Sequence, residues 1–227
     1  MGQYYVLCNL DKRERMSFTL ALFDTMIFSG QKLCEQLHNL GVKPLLALAL
    51  VDFTAVEDNP NSLWGSWSGD RVVLMGDYSD DSPDFLTEEE KLELKTKATT
   101  LPSLVGTEFR DLSQNLGEWF KNNGKLEELF PAPIHVIVNL DKKEYLDPEV
   151  FGNDSSVDKF ALEKDGVMKA LYSCLFYSTG SGGGDIEDFK QGRWAGHGLS
   201  IVGKDTLSSG CRNINDDVED LLDSVEC

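Results

Sequence analysis

The sequence predicts an α+β fold in which two homologous α+β units pack as one pseudo-twofold body. Two pairs of similar strings lead to this prediction. YYVLCNLDKRE at 4–14 returns as IHVIVNLDKKE at 134–144, and GSWSGDRVVLMGD at 65–77 returns as GRWAGHGLSIVGK at 192–204. Each copy also mixes strand-like and helix-like segments. A repeat of this length indicates that each copy is one supersecondary unit and that the copies bury surface against each other.

The repeat divides the chain into unit 1 at 1–121, a linker at 122–133 and unit 2 at 134–227. The linker, which ends in two prolines, is too short to hold the units far apart. It also contains apolar residues (Leu126, Leu129 and Phe130), which favour contact between the units. We therefore predict one body, with two separate beads as the alternative.

Each unit is predicted to begin with a β-hairpin. The segments 4–9 and 134–139 are rich in aromatic and β-branched residues, and both end in Asn-Leu-Asp-Lys. Asn and Asp favour turns because their side chains bond the backbone nearby. A strand, a turn and a second strand follow from this pattern.

A helix is predicted next in each unit. Leucines at helical spacing occupy 29–41, and Gly41 ends that segment. The segment 155–178 has the same pattern in unit 2. The apolar run at 45–53 fits a buried helix, although a strand is also compatible with it.

The tryptophan motif (GSWSG at 65–69 and GRWAG at 192–196) is predicted to precede a strand in both copies, and a capped helix is predicted to end each unit. Ser113 and Asn215 are the predicted N-caps of these last helices, because Asn and Ser side chains accept bonds from first-turn amides. Unit 1 carries 25 additional residues at about 82–106. Thr87 and Glu90 have capping-box spacing there, so we expect this insertion to add one exposed helix.

The charge of the chain restricts its partners. The formal net charge is −18, from 21 basic and 39 acidic residues. Such a surface repels nucleic-acid phosphates and anionic membranes. We therefore expect neither nucleic acid nor membrane as a partner, and favour a protein or a small polar ligand.

The cysteines and the absence of targeting signals favour a cytoplasmic location. The chain has five cysteines, an odd number, and no CxxC pair. A disulfide framework or a zinc site is not expected from this arrangement. No signal-peptide pattern and no apolar run of transmembrane length occurs. We predict no cofactor.

The WGSWSGDR segment and the strand after it form the sharpest candidate site. Glycines beside tryptophan let a backbone approach an aromatic face, and the adjacent Asp and Arg could hold a polar ligand. A tight structural turn with Trp67 in the core is the alternative. Unit 2 keeps Trp194 but has His197 and Gly198 in place of the two charges. The candidate ligand-binding residues are Trp64, Trp67, Asp70, Arg71, Asp77 and Tyr78.

The acidic run after this strand is a weaker candidate for a metal site. Asp77, Asp80 and Asp81 could present carboxylates to a divalent cation. With Ser79 and Glu88 the run resembles a calcium loop, but Ser82 stands where the sharp turn needs glycine. A two-metal centre needs several His and Asp ligands from separate strands, and the chain has three histidines.

Two other patterns favour structure over chemistry. The glycine-rich run at 180–184 is followed by Asp185, and its carboxylate would repel a phosphate. Cys34 and His38 share one helical face, but an ordinary helix with a half-buried cysteine is favoured over a thiolate–imidazole pair, and unit 2 has Ala161 and Asp165 at these positions. No catalytic residue is assigned.

The motifs resemble those of a family of small fungal and bacterial proteins whose activity is uncharacterised. Gly2-Gln3-Tyr4 and the NLDK string match the opening strand of that family, and 65–78 matches its later GSWAGDR and GDY motifs. Unit 2 supplies NLDKKEY. The resemblance implies that the Trp-Gly-Asp-Arg frame is a shared feature, and it implies no activity.

These observations predict an acidic, soluble protein that binds a partner or ligand without catalysis. The alternative is a metal-assisted hydrolase that uses Asp70, Asp77 and Asp80. A ligand or metal pocket beside Asp70 would favour the hydrolase.

Overall fold

The computed structural model contains a mixed nine-stranded sheet beside short helices, which is an α+β fold as predicted. The predicted helices at 29–41 and 45–53, the linker and Ser113 lie outside the residues that the structure describes. The described residues are 5–17, 65–76, 79, 82–97, 99–112, 135–150, 170–171, 173–177 and 191–218.

The first half of the sheet is built around the predicted hairpin. Its strands are β1 (Tyr5–Asn9), β2 (Glu14–Ser17), β3 (Arg71–Gly76) and β4 (Arg110–Asp111). Strand β1 pairs antiparallel with β2 and β3, and β2 pairs in parallel with β4. In the hairpin turn, the Lys12 backbone amide donates to Asn9 Oδ1 at 2.9 Å.

The second half has the same pairing pattern. Its strands are β5 (His135–Asn139), β6 (Glu144–Leu146), β8 (His197–Gly203) and β9 (Arg212–Asn213). Strand β5 pairs antiparallel with β6 and β8, and β6 pairs in parallel with β9. The hairpin turn is again closed by an asparagine, since the Lys142 amide donates to Asn139 Oδ1 at 2.9 Å.

The two halves meet where β3 lies beside β8. The strand order is β4-β2-β1-β3-β8-β5-β6-β9, so the second half repeats the first in reverse. Two backbone bonds join the halves in a reciprocal way. The Gly69 amide donates to the Leu199 carbonyl at 2.7 Å, and the Gly196 amide donates to the Val72 carbonyl at 2.9 Å. The centre of the sheet is therefore the junction between the halves.

The insertion differs from its prediction, because it forms two helices and contributes to the core. The capping box at the start of α1 (Glu88–Lys97) is present, with bonds of 2.7 and 3.2 Å between Thr87 and Glu90. A second helix, α2 (Leu101–Glu108), starts at the Thr100 cap. Three of its apolar residues are buried, so the prediction of one exposed helix was wrong. These residues are Leu101, Leu104 and Val105.

The core of the first half lies between the sheet and these two helices. Strands β1 and β3 contribute Cys8, Val73 and Met75, and the hairpin turn contributes Leu10. The side chains of α1 and α2 cover them. Each buried aliphatic side chain contributes about 1.5–3 kcal/mol of transfer free energy relative to exposure. The insertion thus covers one face of the sheet, which would otherwise contact solvent.

Two further predictions need correction. The segment 155–178 was expected to be helical to its end, but its last part forms β7 (Phe176–Tyr177), which pairs in parallel with β3. Asn215 was expected to be an N-cap, yet it is the first residue of a helical turn. Its side chain instead bonds both backbone polar groups of Asp147, at 2.9 and 2.8 Å. Pairing with β3 thus accounts for the strand at 176–177, and the bonds to Asp147 account for the Asn215 side chain.

Within the described part of the chain, no helix is long and apolar enough to cross a membrane.

Candidate functional site

The tryptophan motif forms a tight turn that leads into β3. Gly65 and Gly69 have φ angles of 58° and 85°, which residues with a Cβ adopt only at a cost. The Ser68 amide donates to the Gly65 carbonyl at 3.0 Å, and the Asp70 amide donates to the Trp67 carbonyl at 3.0 Å. The glycines are thus required by the backbone of the turn.

Trp67 is a core residue. Its side chain is fully buried, and its indole Nε1 donates to Glu14 Oε2 at 2.7 Å. The other oxygen of Glu14 forms an ion pair with Arg110 of β4. A buried indole needs a partner for its N–H, and Glu14 provides it across the sheet. Trp67 therefore offers no open aromatic face to a ligand.

Asp70 forms its bonds within the first half. Its Oδ2 accepts from Asn9 Nδ2 at 2.8 Å and lies 2.8 Å from Lys12 Nζ. Both partners come from the β1–β2 hairpin. Charge-assisted bonds of this kind are stronger than neutral ones. Asp70 thus fastens the start of β3 to the hairpin turn.

Arg71 connects the sheet to the insertion. Its Nε donates to Asp11 Oδ1 at 2.8 Å, and its Nη2 donates to Glu90 Oε1 at 2.8 Å. Its Nη1 also donates to the Phe85 carbonyl at 3.2 Å. The bond to Glu90 raises the pKa of Arg71 most, burial lowers it, and the bond to Asp11 raises it further. The guanidinium is occupied by partners on several sides.

The second half repeats the tryptophan turn of the first half, but it lacks the charged side chains of Asp70 and Arg71. Trp194 is fully buried, and its Nε1 donates to Glu144 Oε2 at 2.8 Å. The Gly198 amide donates to Asp141 Oδ2 at 2.8 Å, as the Arg71 amide does to Asp11 Oδ2 at 2.8 Å. The two tryptophans thus have matching burial and matching partners.

His197 occupies the position that Asp70 has in the first half. Its Nδ1 lies 3.8 Å from Asp141 Oδ2. Burial lowers its pKa most, the positive charge of Lys142 lowers it further, and Asp141 and Glu144 oppose this change. The imidazole is therefore held toward its neutral form.

The other predicted site residues lie outside the described part of the chain. These are Trp64, Asp77, Tyr78, Asp80 and Asp81. Ser79 is described and buried, and its hydroxyl donates to the carbonyls of Gly76 and Tyr177 at 2.8 and 3.1 Å. Glu88 pairs with Lys91 at 2.9 Å. Two members of the predicted calcium loop thus have partners within the protein.

Among the described residues, no group of three or more His, Cys, Asp or Glu side chains could hold a metal ion. A small cleft of about 10 Å³ lies between the hairpin turn and the insertion helices. That volume accommodates about one water molecule. The cleft lies among core and ion-pair residues, including Leu10, Arg13 and Glu93.

Two buried cysteines have little nucleophilic character. Burial raises the pKa of the Cys174 thiol to about 12, and burial also raises the pKa of the Cys8 thiol. Only the thiolate is nucleophilic, so neither thiol is activated near neutral pH. Cys8, Cys174 and Cys211 are all unpaired thiols.

The turn-forming role of Asn9 and Asn139 was predicted, and each asparagine closes its hairpin. Glu14 and Glu144, which bind the two tryptophans, were missed in the sequence. Both glutamates are present at matching positions of the repeat. The repeat therefore contained the signal for them, whereas no local pattern marks Glu90 as the partner of Arg71.

Comparison of this chain with protein-family models, with curated proteins and with solved structures finds no match.

Proposed function

We propose that this protein is a non-catalytic, acidic binding protein whose ligand is another protein or a small polar molecule. The observation that carries the proposal is the internal pairing of the charged motif residues. Asp70 is bound by Asn9 and Lys12, and Arg71 is bound by Asp11 and Glu90. Groups bound in this way maintain a scaffold, because chemistry at either one would first require breaking these contacts.

The scaffold is, in this proposal, a duplicated unit with a pseudo-twofold axis between β3 and β8. The reversed strand order supports it. So do the reciprocal bonds of Gly69 and Gly196 across the junction, and the matching tryptophan–glutamate bonds. The same proposal includes a cytoplasmic location and the family resemblance of the Trp-Gly-Asp-Arg frame.

The charge of the chain supports a partner with basic groups. A net charge of −18 creates a negative field that attracts cations and steers their association. Exposed carboxylates such as Glu88, Glu108 and Asp141 contribute to this field. The field decreases over about 8 Å at physiological ionic strength. Binding driven by it should therefore weaken as salt is added.

Thermal denaturation of the full chain with a panel of compounds tests this proposal. The panel contains basic peptides, nucleotides, sugars and divalent cations. A ligand at a hundred times its Kd should stabilise the protein by about 2.7 kcal/mol. We expect a shift in Tm with a basic peptide or a polar metabolite, and no turnover of ester or phosphate substrates. Metal-dependent hydrolysis lost in Asp70→Asn would overturn the proposal in favour of the hydrolase.

A further inference from the structure

Asn139 has a buried hydrogen-bond donor without a partner. The residue is 0% exposed, and its Nδ2 has no hydrogen-bond partner. The Lys142 amide donates to its Oδ1 at 2.9 Å, so rotating the amide group by 180° would lose that bond. A buried donor that has lost its bonds to water and gained none in the protein destabilises the folded state. A group that accepts a bond from Nδ2 would recover this free energy.

The first half shows which acceptor fits this position. Asn9 Oδ1 accepts from the Lys12 amide at 2.9 Å, as Asn139 does from Lys142. Asn9 Nδ2 then donates to Asp70 Oδ2 at 2.8 Å. Lys12 Nζ lies 2.8 Å from the same oxygen. A carboxylate oxygen is therefore shared by the asparagine amide and the lysine ammonium.

The second half keeps the amide and the ammonium but replaces the carboxylate. His197 stands where Asp70 stands, and its buried Nδ1 also has no hydrogen-bond partner. Lys142 takes the position of Lys12, and its charge acts on His197. The carboxylates that act on the imidazole are Asp141 and Glu144, and both are bound elsewhere, to Gly198 and to Trp194.

We propose that Asn139, Lys142 and His197 form a binding site for the carboxylate group of a ligand. Asn139 Nδ2 and Lys142 Nζ donate to the carboxylate, and His197 in the tautomer protonated at Nδ1 adds a third donor. The ligand reproduces the bonds that Asp70 makes within the first half. Its biological role rests on the proposed binding function, whereas the site rests on these residues alone.

The surroundings of the site favour a carboxylate that is attached to an apolar group. Leu140 lies between Asn139 and Lys142 in the chain and is 47% exposed. Its counterpart Leu10 is 4% exposed because the insertion helices cover it. The second half therefore presents an exposed apolar side chain at the residue that follows Asn139. A short aliphatic acid, or the C-terminal carboxylate of a peptide with an apolar last residue, suits both features.

Calorimetric titration of the full chain with butyrate tests the site, with uncharged butyramide as the matched control. We expect butyrate to bind and butyramide not to bind. A hydrophobic tetrapeptide with a free C-terminus, compared with its amidated form, separates a peptide source from a free metabolite. Tighter binding of the peptide acid than of butyrate identifies a protein partner, and the reverse identifies a small acid.

Three variants locate the binding. Lys142→Met removes the ammonium but keeps the backbone amide, so butyrate affinity should fall at least about tenfold, as for loss of a charged bond. Lys12→Met changes the equivalent lysine of the first half and should leave butyrate affinity unchanged. His197→Asp supplies an internal carboxylate, so it should abolish binding and raise Tm.

The outcomes separate this proposal from the general one. No binding of any carboxylate would overturn the site, whatever the Tm of His197→Asp. Equal losses in Lys142→Met and Lys12→Met would overturn it as well. A carboxylate site can be confirmed even if the basic peptides bind nowhere, since the titration and the denaturation panel use different compounds.

Discussion

A buried glutamate (Glu14) and a half-buried one (Glu144) hold the tryptophans in the two halves of the sheet. Glu144 accepts from Trp194 Nε1 at 2.8 Å and from Arg193 Nη2 at 2.5 Å. Burial raises the pKa of Glu144, but the bonds from Trp194 and Arg193 outweigh it, so the pKa lies below its usual range. A half-buried carboxylate is tolerated here because each oxygen has a donor.

We expect Glu144→Gln to lower stability at neutral pH by about 1–3 kcal/mol, because the charged bond to Arg193 is lost. A carboxylate whose folded pKa is depressed stabilises fully above its unfolded pKa. That contribution disappears as the pH falls through the lower, folded value. The stability difference between wild type and variant should therefore shrink in acid. Urea unfolding at stepwise lower pH measures it.

Glu149→Gln is the control for this titration. Glu149 is exposed, and its carboxylate lies 3.7 Å from Lys204 Nζ. An exposed ion pair contributes about 0–1 kcal/mol. A stability loss in Glu149→Gln as large as that in Glu144→Gln would contradict the role given to the tryptophan–glutamate bond.

Among the elements, the insertion connects the two halves. Phe85, just before α1, packs edge-on against Tyr177 of β7 with ring centroids 5.1 Å apart. A Cβ placed on Gly196 would lie 2.4 Å from Phe85. Arg71 ties the same segment to the first half. The segment just before α1 thus contacts both β7 and the turn at Gly196.

A matched pair of glycine variants tests this contact. Gly196 and Gly69 have φ angles of 74° and 85°, so alanine at either site costs about 1–2 kcal/mol of backbone strain. Gly196→Ala also collides with Phe85, which adds about 1–3 kcal/mol. At Gly69 the nearest side-chain atom, of Leu140, is 3.9 Å from the Cβ. We expect the greater loss in Gly196→Ala, measured by urea unfolding.

Adding Phe85→Gly completes a thermodynamic cycle for the contact. The double variant should show a coupling free energy with Gly196→Ala, since the collision involves both Cβ and the ring of Phe85 and glycine removes both. Equal costs for the two glycine variants, without coupling, would show that the insertion does not press on Gly196.

The helices of the insertion were only partly predictable. The capping box of Thr87 and Glu90 lies within four residues, so local sequence reveals it. The burial of Leu101 and Leu104 was missed, because a short apolar run does not show what it will contact. Likewise Phe176 and Tyr177 continue an apolar helical pattern, and only pairing with β3 makes them a strand.

At the level of the whole molecule, β3 and β8 make the sheet continuous between the halves. Their register joins Arg71 with Gly198 and Val72 with His197. The Ser68 and Ser200 hydroxyls also meet at 2.7 Å across the junction. If the halves form one body, β3 and β8 each cover an edge of the other strand that would otherwise be exposed.

Cleavage of the linker tests whether the halves form one body. A protease site inserted between Asn122 and Asn123 of the full chain allows cleavage after folding. We expect the two pieces to elute together on size exclusion, because the β3–β8 pairing does not depend on the linker. They should separate only with denaturant. Separation in native buffer would support two independent beads instead.

Local pattern was sufficient for the hairpins, the strands after the tryptophans and the capping box of α1. Each of these depends on residues a few positions apart. Local pattern did not show whether the charged residues of the tryptophan motif form a ligand site or hold the fold together. Asn9 meets Asp70, Glu14 meets Trp67 and Arg71 meets Glu90 only after the strands have paired.

Folding therefore decided which polar groups have partners. The sequence already shows that His197 and Gly198 replace Asp70 and Arg71 in the second copy. It does not show that Asn139 then keeps a buried donor without a partner. Hydrogen bonding acts over about 3 Å, and residues far apart in the chain reach that distance only in the tertiary structure.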